Sequence, residues 1–143
     1  MSKLYDTDIV AWASEQAELL RSGQWSRLDI DNIAEEIEDV GKSEKRELAS
    51  RLAVLIGHLL KWQFQSEKRS KSWTDTIDVQ RARVEDRLEE TPSLKHLLED
   101  DAWLERVWRD GLHLAQTDTG LYGLPRQPIW SVSELRDPEF LPS

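Results

Sequence analysis

Ile33-Ala34-Glu35-Glu36-Ile37-Glu38-Asp39-Val40-Gly41, read on through His58-Leu59-Leu60-Lys61-Trp62-Gln63, is the stretch that decides the fold. Advancing about 100° per residue from Ile33, one helical face collects Ile33, Glu36, Ile37, Val40, Glu44, Glu47, Leu48, Arg51, Leu55, His58, Leu59 and Trp62. Glu36, Arg51 and His58 stand where an ordinary amphipathic helix carries Leu or Ile. Buried charge is costly unless paired, so these positions predict either an internal ionic network or a ligand site. The pattern keeps its phase across Gly41, which favours one helix from about residue 30 to 64. The other reading has Gly41 ending one helix and Ser43 capping the next. On a straight helix Glu36 and His58 lie about 33 Å apart, so a centre shared by both requires the chain to fold back at Gly41.

Apolar residues recur at helical spacing outward from this stretch. A first helix is expected from Asp6 or Asp8 to Gly23, with Ile9, Trp12, Ala13, Ala17 and Leu20 as its apolar face. A short connector over 24–28, anchored by Trp25, leads to Asp29 or Asp31 as the cap of the long helix. After a polar connection over 65–72, Ser72 or Trp73 opens a helix to about Glu90 with the stripe Trp73, Ile77, Arg81, Val84 and Leu88. Pro92 suits a first helical turn, the pattern breaks near Glu99-Asp100-Asp101, and Gly120 ends the following helix. In the tail, Ser131-Val132-Ser133-Glu134 reads as a capping box, while Trp130 and Phe140 are placed to pin the tail to the body. No strand alternation is visible. The expectation is one all-α domain over residues 1–143, a helical bundle on a long central helix with a short helix in the C-terminal tail.

Composition narrows the function classes. Twenty-eight acids against nineteen Lys and Arg give a net charge of −9, which disfavours general nucleic-acid binding. The chain has no cysteine, which excludes disulfides, thiolate metal sites and Cys nucleophiles. The first residues lack a signal-peptide run, and Leu52 to Leu60 is too short to span a bilayer. A soluble, cytoplasmic protein without a membrane partner is expected.

The segments Ile33–Gly41 and His58–Gln63, Arg69-Ser70-Lys71-Ser72-Trp73 with Thr76-Ile77 and Gln80-Arg81, and Thr119-Gly120-Leu121 with Pro128-Ile129-Trp130 occur together and in order. In this combination the chain resembles the bacterial Domain of Unknown Function twenty-nine family from about Leu4 to Phe140. The resemblance implies a small all-α protein and carries over no activity, cofactor or catalytic residue. Relatives often have a Cys-Pro-Trp step where this chain has Pro128-Ile129-Trp130, so chemistry by that cysteine would be absent here.

Three constellations are candidates for function. Glu35, Glu36, Glu38 and Asp39 form i, i+3 pairs that suit a hard cation. They resemble half of the motif of MazG-type pyrophosphatases, whose second half is missing here. The plain alternative is a solvated acidic turn near a helix N-terminus. His58 is either a hydrogen-bonded core residue or a base or metal ligand. Arg51 pairs with Glu47 four residues earlier, and Arg81 is expected to reach Glu47 or Glu44 across an antiparallel hairpin. The sharpest hint is the basic-aromatic segment: Lys61, Lys68, Arg69 and Lys71 against Glu67, interleaved with Trp62, Phe64 and Trp73.

Cations beside aromatic faces suit an anionic ligand or an acidic protein partner. The expected contact set is Glu36, His58, Lys61, Trp62, Arg69, Trp73, Gln80 and Arg81, in a binding or regulatory module. The rival reading is a metal-assisted phosphohydrolase or nuclease using the Glu35–Asp39 carboxylates with His58 or Lys61. A third is a helical scaffold that oligomerises through exposed Trp residues.

Overall fold

Asp8 begins the first substantial helix: its Oδ1 accepts from the backbone N–H of Ala11 at 3.1 Å, satisfying a donor that the helix itself cannot. The computed structural model describes residues 4–143. Helix α1 covers Leu4–Thr7, α2 Ile9–Arg21, α3 Ile30–Phe64, α4 Lys71–Glu90, α5 Asp101–Thr119 and α6 Val132–Arg136. Short 3-10 segments at Trp25–Arg27, Ser66–Lys68 and Pro92–Glu99 lie between them, and the described residues contain no strand. The fold is all-α. Packing contacts gather into two units, Met1–Glu44 and Lys45–Ser143, and the division falls inside α3.

Helix α3 runs through Gly41 without a break. The fold-back that a shared Glu36–His58 centre needs is therefore absent. Space around Gly41 is open, since a Cβ built there meets nothing within 4 Å. Helical phase and helical burial nevertheless part company. Leu48, Leu55 and Leu59 are fully buried, whereas residues 30–44 of the same helix bury none of their side chains. Ile37 and Val40 are each 67% exposed.

In the N-terminal unit, the expected buried face of α2 is rotated. Trp12, Gln16 and Leu19 are buried, while Ile9 and Leu20 are exposed. The cause is a polar anchor at Asp29. Its carboxylate accepts from Trp12 Nε1 at 3.0 Å and from Asn32 Nδ2 at 2.8 Å, and its backbone N–H donates to Gln16 Oε1 at 2.8 Å. The Asn32 side chain holds the Asp29 carboxyl below the usual carboxylate range, helped by Trp12 and opposed by desolvation. Asp29 therefore ties the connector to α2. Trp25 does not, being 63% exposed.

The C-terminal unit contains the large core. Leu48, Leu52, Leu59 and Leu60 of α3 join Ile77, Val84 and Leu88 of α4 and Val107, Trp108 and Ala115 of α5. Helices α3 and α5 approach closely at two glycines. A Cβ on Gly111 would lie 2.7 Å from Ile56 Cγ2 and 2.9 Å from the Ala53 carbonyl oxygen, and one on Gly57 would lie 3.1 Å from the Gly111 carbonyl oxygen. Helix α4 starts earlier than the sequence suggests because Ser70, not Ser72, caps it through Trp73 N–H. Asp100 caps α5, Gly120 closes it at φ +70°, and the Ser131–Glu134 capping box opens α6. Trp130 stacks edge-on against Trp108 and Phe140 at centroid distances of 5.2 and 6.1 Å, pinning the tail as expected.

Two glycine substitutions should diverge. Gly41→Ala removes a helix-interior glycine without a clash and is expected to stabilise the protein by about 0.5–1 kcal/mol. Gly111→Ala forces a methyl into Ile56 and the Ala53 carbonyl and is expected to cost about 1–3 kcal/mol. Denaturant melts of both variants measure the two signs, and a neutral Gly111→Ala would contradict the close crossing.

Candidate functional site

The cations of the basic-aromatic segment are largely engaged inside the C-terminal unit. Lys61 is only 8% exposed; its Nζ donates to Asp118 Oδ2 at 3.0 Å and lies 5.4 Å from the Trp73 ring centroid. Arg69 packs over Trp62 at 4.7 Å, and its Nε donates to the Trp62 carbonyl at 2.8 Å. A second donor, Arg69 Nη2, reaches the Ser143 carbonyl at 3.2 Å. Lys71 pairs with Asp75 at the surface. Trp62 and Trp73 are half-buried.

Arg81 does not reach Glu47 or Glu44. Its Nε donates to the Leu135 carbonyl at 2.9 Å, Nη2 approaches the Glu134 carbonyl at 3.5 Å, and the guanidinium lies 5.9 Å from the Phe140 ring centroid. The Glu134 carbonyl also accepts from the Asp137 N–H at the C-cap of α6, and a cation at this helix end complements its dipole. Desolvation lowers the Arg81 pKa, with Asp137 and Asp78 opposing it. Beside it, Arg136 grips Glu85 with two bonds of 2.7 and 2.9 Å, so α6 is fastened to α4 twice. Gln80 is half-buried, and its Oε1 is enclosed without a hydrogen-bond partner.

The ionisable residues of the α3 stripe also find local partners. Arg51 binds Glu47 as the spacing predicts, with Nε to Oε1 at 3.0 Å. His58 is half-buried, with Nδ1 3.0 Å from the Val54 carbonyl. Burial pushes the His58 imidazole below its ordinary value and the Lys61 charge adds to this, while the Val54 bond and Asp118 oppose it. Glu36 accepts a 2.6 Å bond from Tyr5 OH. That bond is the main reason the Tyr5 pKa is raised to about 12. Asp118 and Tyr5 are the partners that sequence reasoning missed; helical phase along one segment carries no information about which side chain faces it from another.

The carboxylates proposed as metal ligands do not converge. Glu35 and Glu38 are exposed, Glu36 is bound to Tyr5, and no group of three His, Asp or Glu side chains among the described residues is arranged to hold a metal ion. Residues i, i+1, i+3 and i+4 of a helix fan across more than one face, which separates them.

Exposed apolar surface is concentrated in the N-terminal unit. Seven of the thirteen exposed large apolar side chains found among the described residues lie in its 44 residues, a concentration out of proportion to its size. Helices α2 and α3 enclose an apolar groove of about 250 Å³. Ala13, Ala17 and Leu20 line one side and Ile33, Ile37 and Val40 the other, with Trp12 and Glu36 also in the walls. The two alanines leave its floor low. The unit holds eleven acids and four basic residues, a net charge of −7, whereas the remaining seventeen acids and fifteen basic residues give the C-terminal unit −2. No helix of the described residues is long and apolar enough to cross a membrane.

Residues 4–141 match the model of one protein family, Domain of unknown function DUF29, and the chain belongs to that family. No curated protein and no solved structure matches it.

Internal pairing has measurable consequences. Lys61→Met, which replaces a buried cation by a similar apolar volume, is expected to be better tolerated than Asp118→Ala, which strands that cation. Because Asp118 is 54% exposed, the loss for Asp118→Ala should fall below the roughly 3–5 kcal/mol of a fully buried pair. Urea melts of the two variants decide the order. For His58, the folded pKa lies below the unfolded one, so its contribution is complete above about pH 6.5 and is lost as the pH falls. His58→Leu should therefore flatten the acid-side decline of the melting temperature; an unchanged decline would remove His58 from its cause.

Proposed function

We propose that this DUF29 protein is a non-enzymatic protein-binding module whose contact face is the α2–α3 groove of its N-terminal unit. One observation carries this reading: Ile37 and Val40 continue the buried stripe of α3 in phase, yet both stand two-thirds exposed beside an apolar concavity. Apolar faces of this kind are costly to leave in water and mark sites where another chain docks. The groove has the dimensions of a helix seat. Trp12 to Leu20 rises about 12 Å and Ile33 to Val40 about 10 Å, at about 1.5 Å per residue, enough for two turns of a partner helix.

The basic-aromatic segment supports a contact role less well. An anion there would have to displace Asp118 from Lys61 or open the bonds that Arg69 and Arg81 make to backbone carbonyls. The groove needs no such displacement.

Site-specific photocrosslinking in cells of the native host tests the assignment. A benzophenone side chain at position 40 should join the protein to a discrete partner whose modified residue, identified by mass spectrometry, lies in a helix. The same group at the exposed position 83 is the control. Crosslinks to nothing beyond the control, or to another copy of this chain alone, would overturn it.

A further inference from the structure

We infer that the helix received by the groove is cationic and amphipathic. This rests on the docking role assigned to the groove and adds the chemistry of its occupant. The apolar requirement comes from the walls: Ala13, Ala17 and Leu20 face Ile33, Ile37 and Val40 over about two turns, which calls for anchors at i, i+3 or i+4, and i+7. The charge requirement comes from the unit that forms the groove. Its net charge is −7, and Glu36 is the one charged residue that lines the groove itself. Glu36 is part of the wall, with Oε1 bound to Tyr5 OH, and Asp39 follows on the next turn of α3.

Around such a groove the potential favours a helix with Lys or Arg flanking its apolar face, speeds its encounter and disfavours an acidic one. The same field opposes the other occupants. Two copies meeting groove to groove would bring two units of −7 together, and an anionic lipid surface would be repelled. The C-terminal unit, at −2, provides no comparable field. The groove thus selects by sign as well as by shape.

Three synthetic helical peptides test this on the full chain: a Leu/Lys amphipath, its Leu/Glu counterpart, and a scrambled Leu/Lys sequence without a continuous apolar face. Binding is read from methyl NMR shifts of Ala13, Ala17, Ile37 and Val40 and from fluorescence anisotropy of labelled peptide. The Leu/Lys amphipath should bind at least about tenfold more tightly than either control, a difference of about 1.4 kcal/mol. Its affinity should fall several-fold between about 0.1 M and 1 M salt, as the screening length shrinks from about 10 to about 3 Å.

Ile37→Ser with Val40→Ser should abolish the Ala13 and Ala17 shifts and the peptide anisotropy change at an unchanged melting temperature, since both substituted residues are exposed. Equal binding of the Leu/Glu peptide would overturn the charge assignment while leaving the groove as a docking site. Methyls unmoved by all three peptides would remove the docking role as well. A dimer seen by sedimentation equilibrium and lost on Val40→Ser would assign the groove to a second copy and overturn the inference.

Discussion

The close approach of α3 and α5 at Gly57 and Gly111 is the constraint on which the C-terminal unit depends. Without side chains at these two positions, the Ile56 side chain and the Ala53 carbonyl lie almost against the α5 backbone. Well-packed interiors tolerate little added volume, so this spacing sets the register of everything α5 carries. Trp108 is then held at 1% exposure with its Nε1 donating to the Pro125 carbonyl, and its ring forms the surface on which Trp130 rests. The tail is seated through that ring and through Arg81 and Arg136 of the α4–α6 junction.

Charges inside the helical stripes turn out to serve attachment. Lys61 meets Asp118 from α5, Arg81 meets the carbonyls that end α6, and Glu36 meets the Tyr5 hydroxyl from α1. Each is satisfied by a group on a different element, so each ties two elements together. Removing one partner strands the other, at a cost that grows with the burial of the group left behind. Residues that resemble a ligand site along the sequence can thus be the seams of the fold.

The two units differ in how their apolar surface is used. In the C-terminal unit the α3 stripe is closed over by α4 and α5. In the N-terminal unit a short α2, fixed in rotation by the Asp29 anchor, turns Trp12, Gln16 and Leu19 inward and leaves Ile9 and Leu20 in water. Gln16 and Trp12 therefore do two jobs, bonding Asp29 and bordering the groove. The acidic charge of the chain is gathered on this same unit, at −7 against −2 for the other.

Much of the architecture is local and was legible along the chain: the unbroken phase from Ile33 to Trp62, a first helix starting at Asp6 or Asp8, the break near Asp100, the Ser131–Glu134 box, Gly120 as a helix stop and the Glu47–Arg51 pair all rest on interactions within a few residues. Family membership was legible in the same way, through ordered short motifs. Tertiary structure alone decided which half of the stripe is covered, because periodicity reports which residues share a face and not what lies opposite. It also decided that Arg81 binds tail carbonyls instead of an acid, that Asp118 is the partner of Lys61, and that Gly57 and Gly111 meet. Those facts join residues about 50 or more positions apart, and no helical period links such distances.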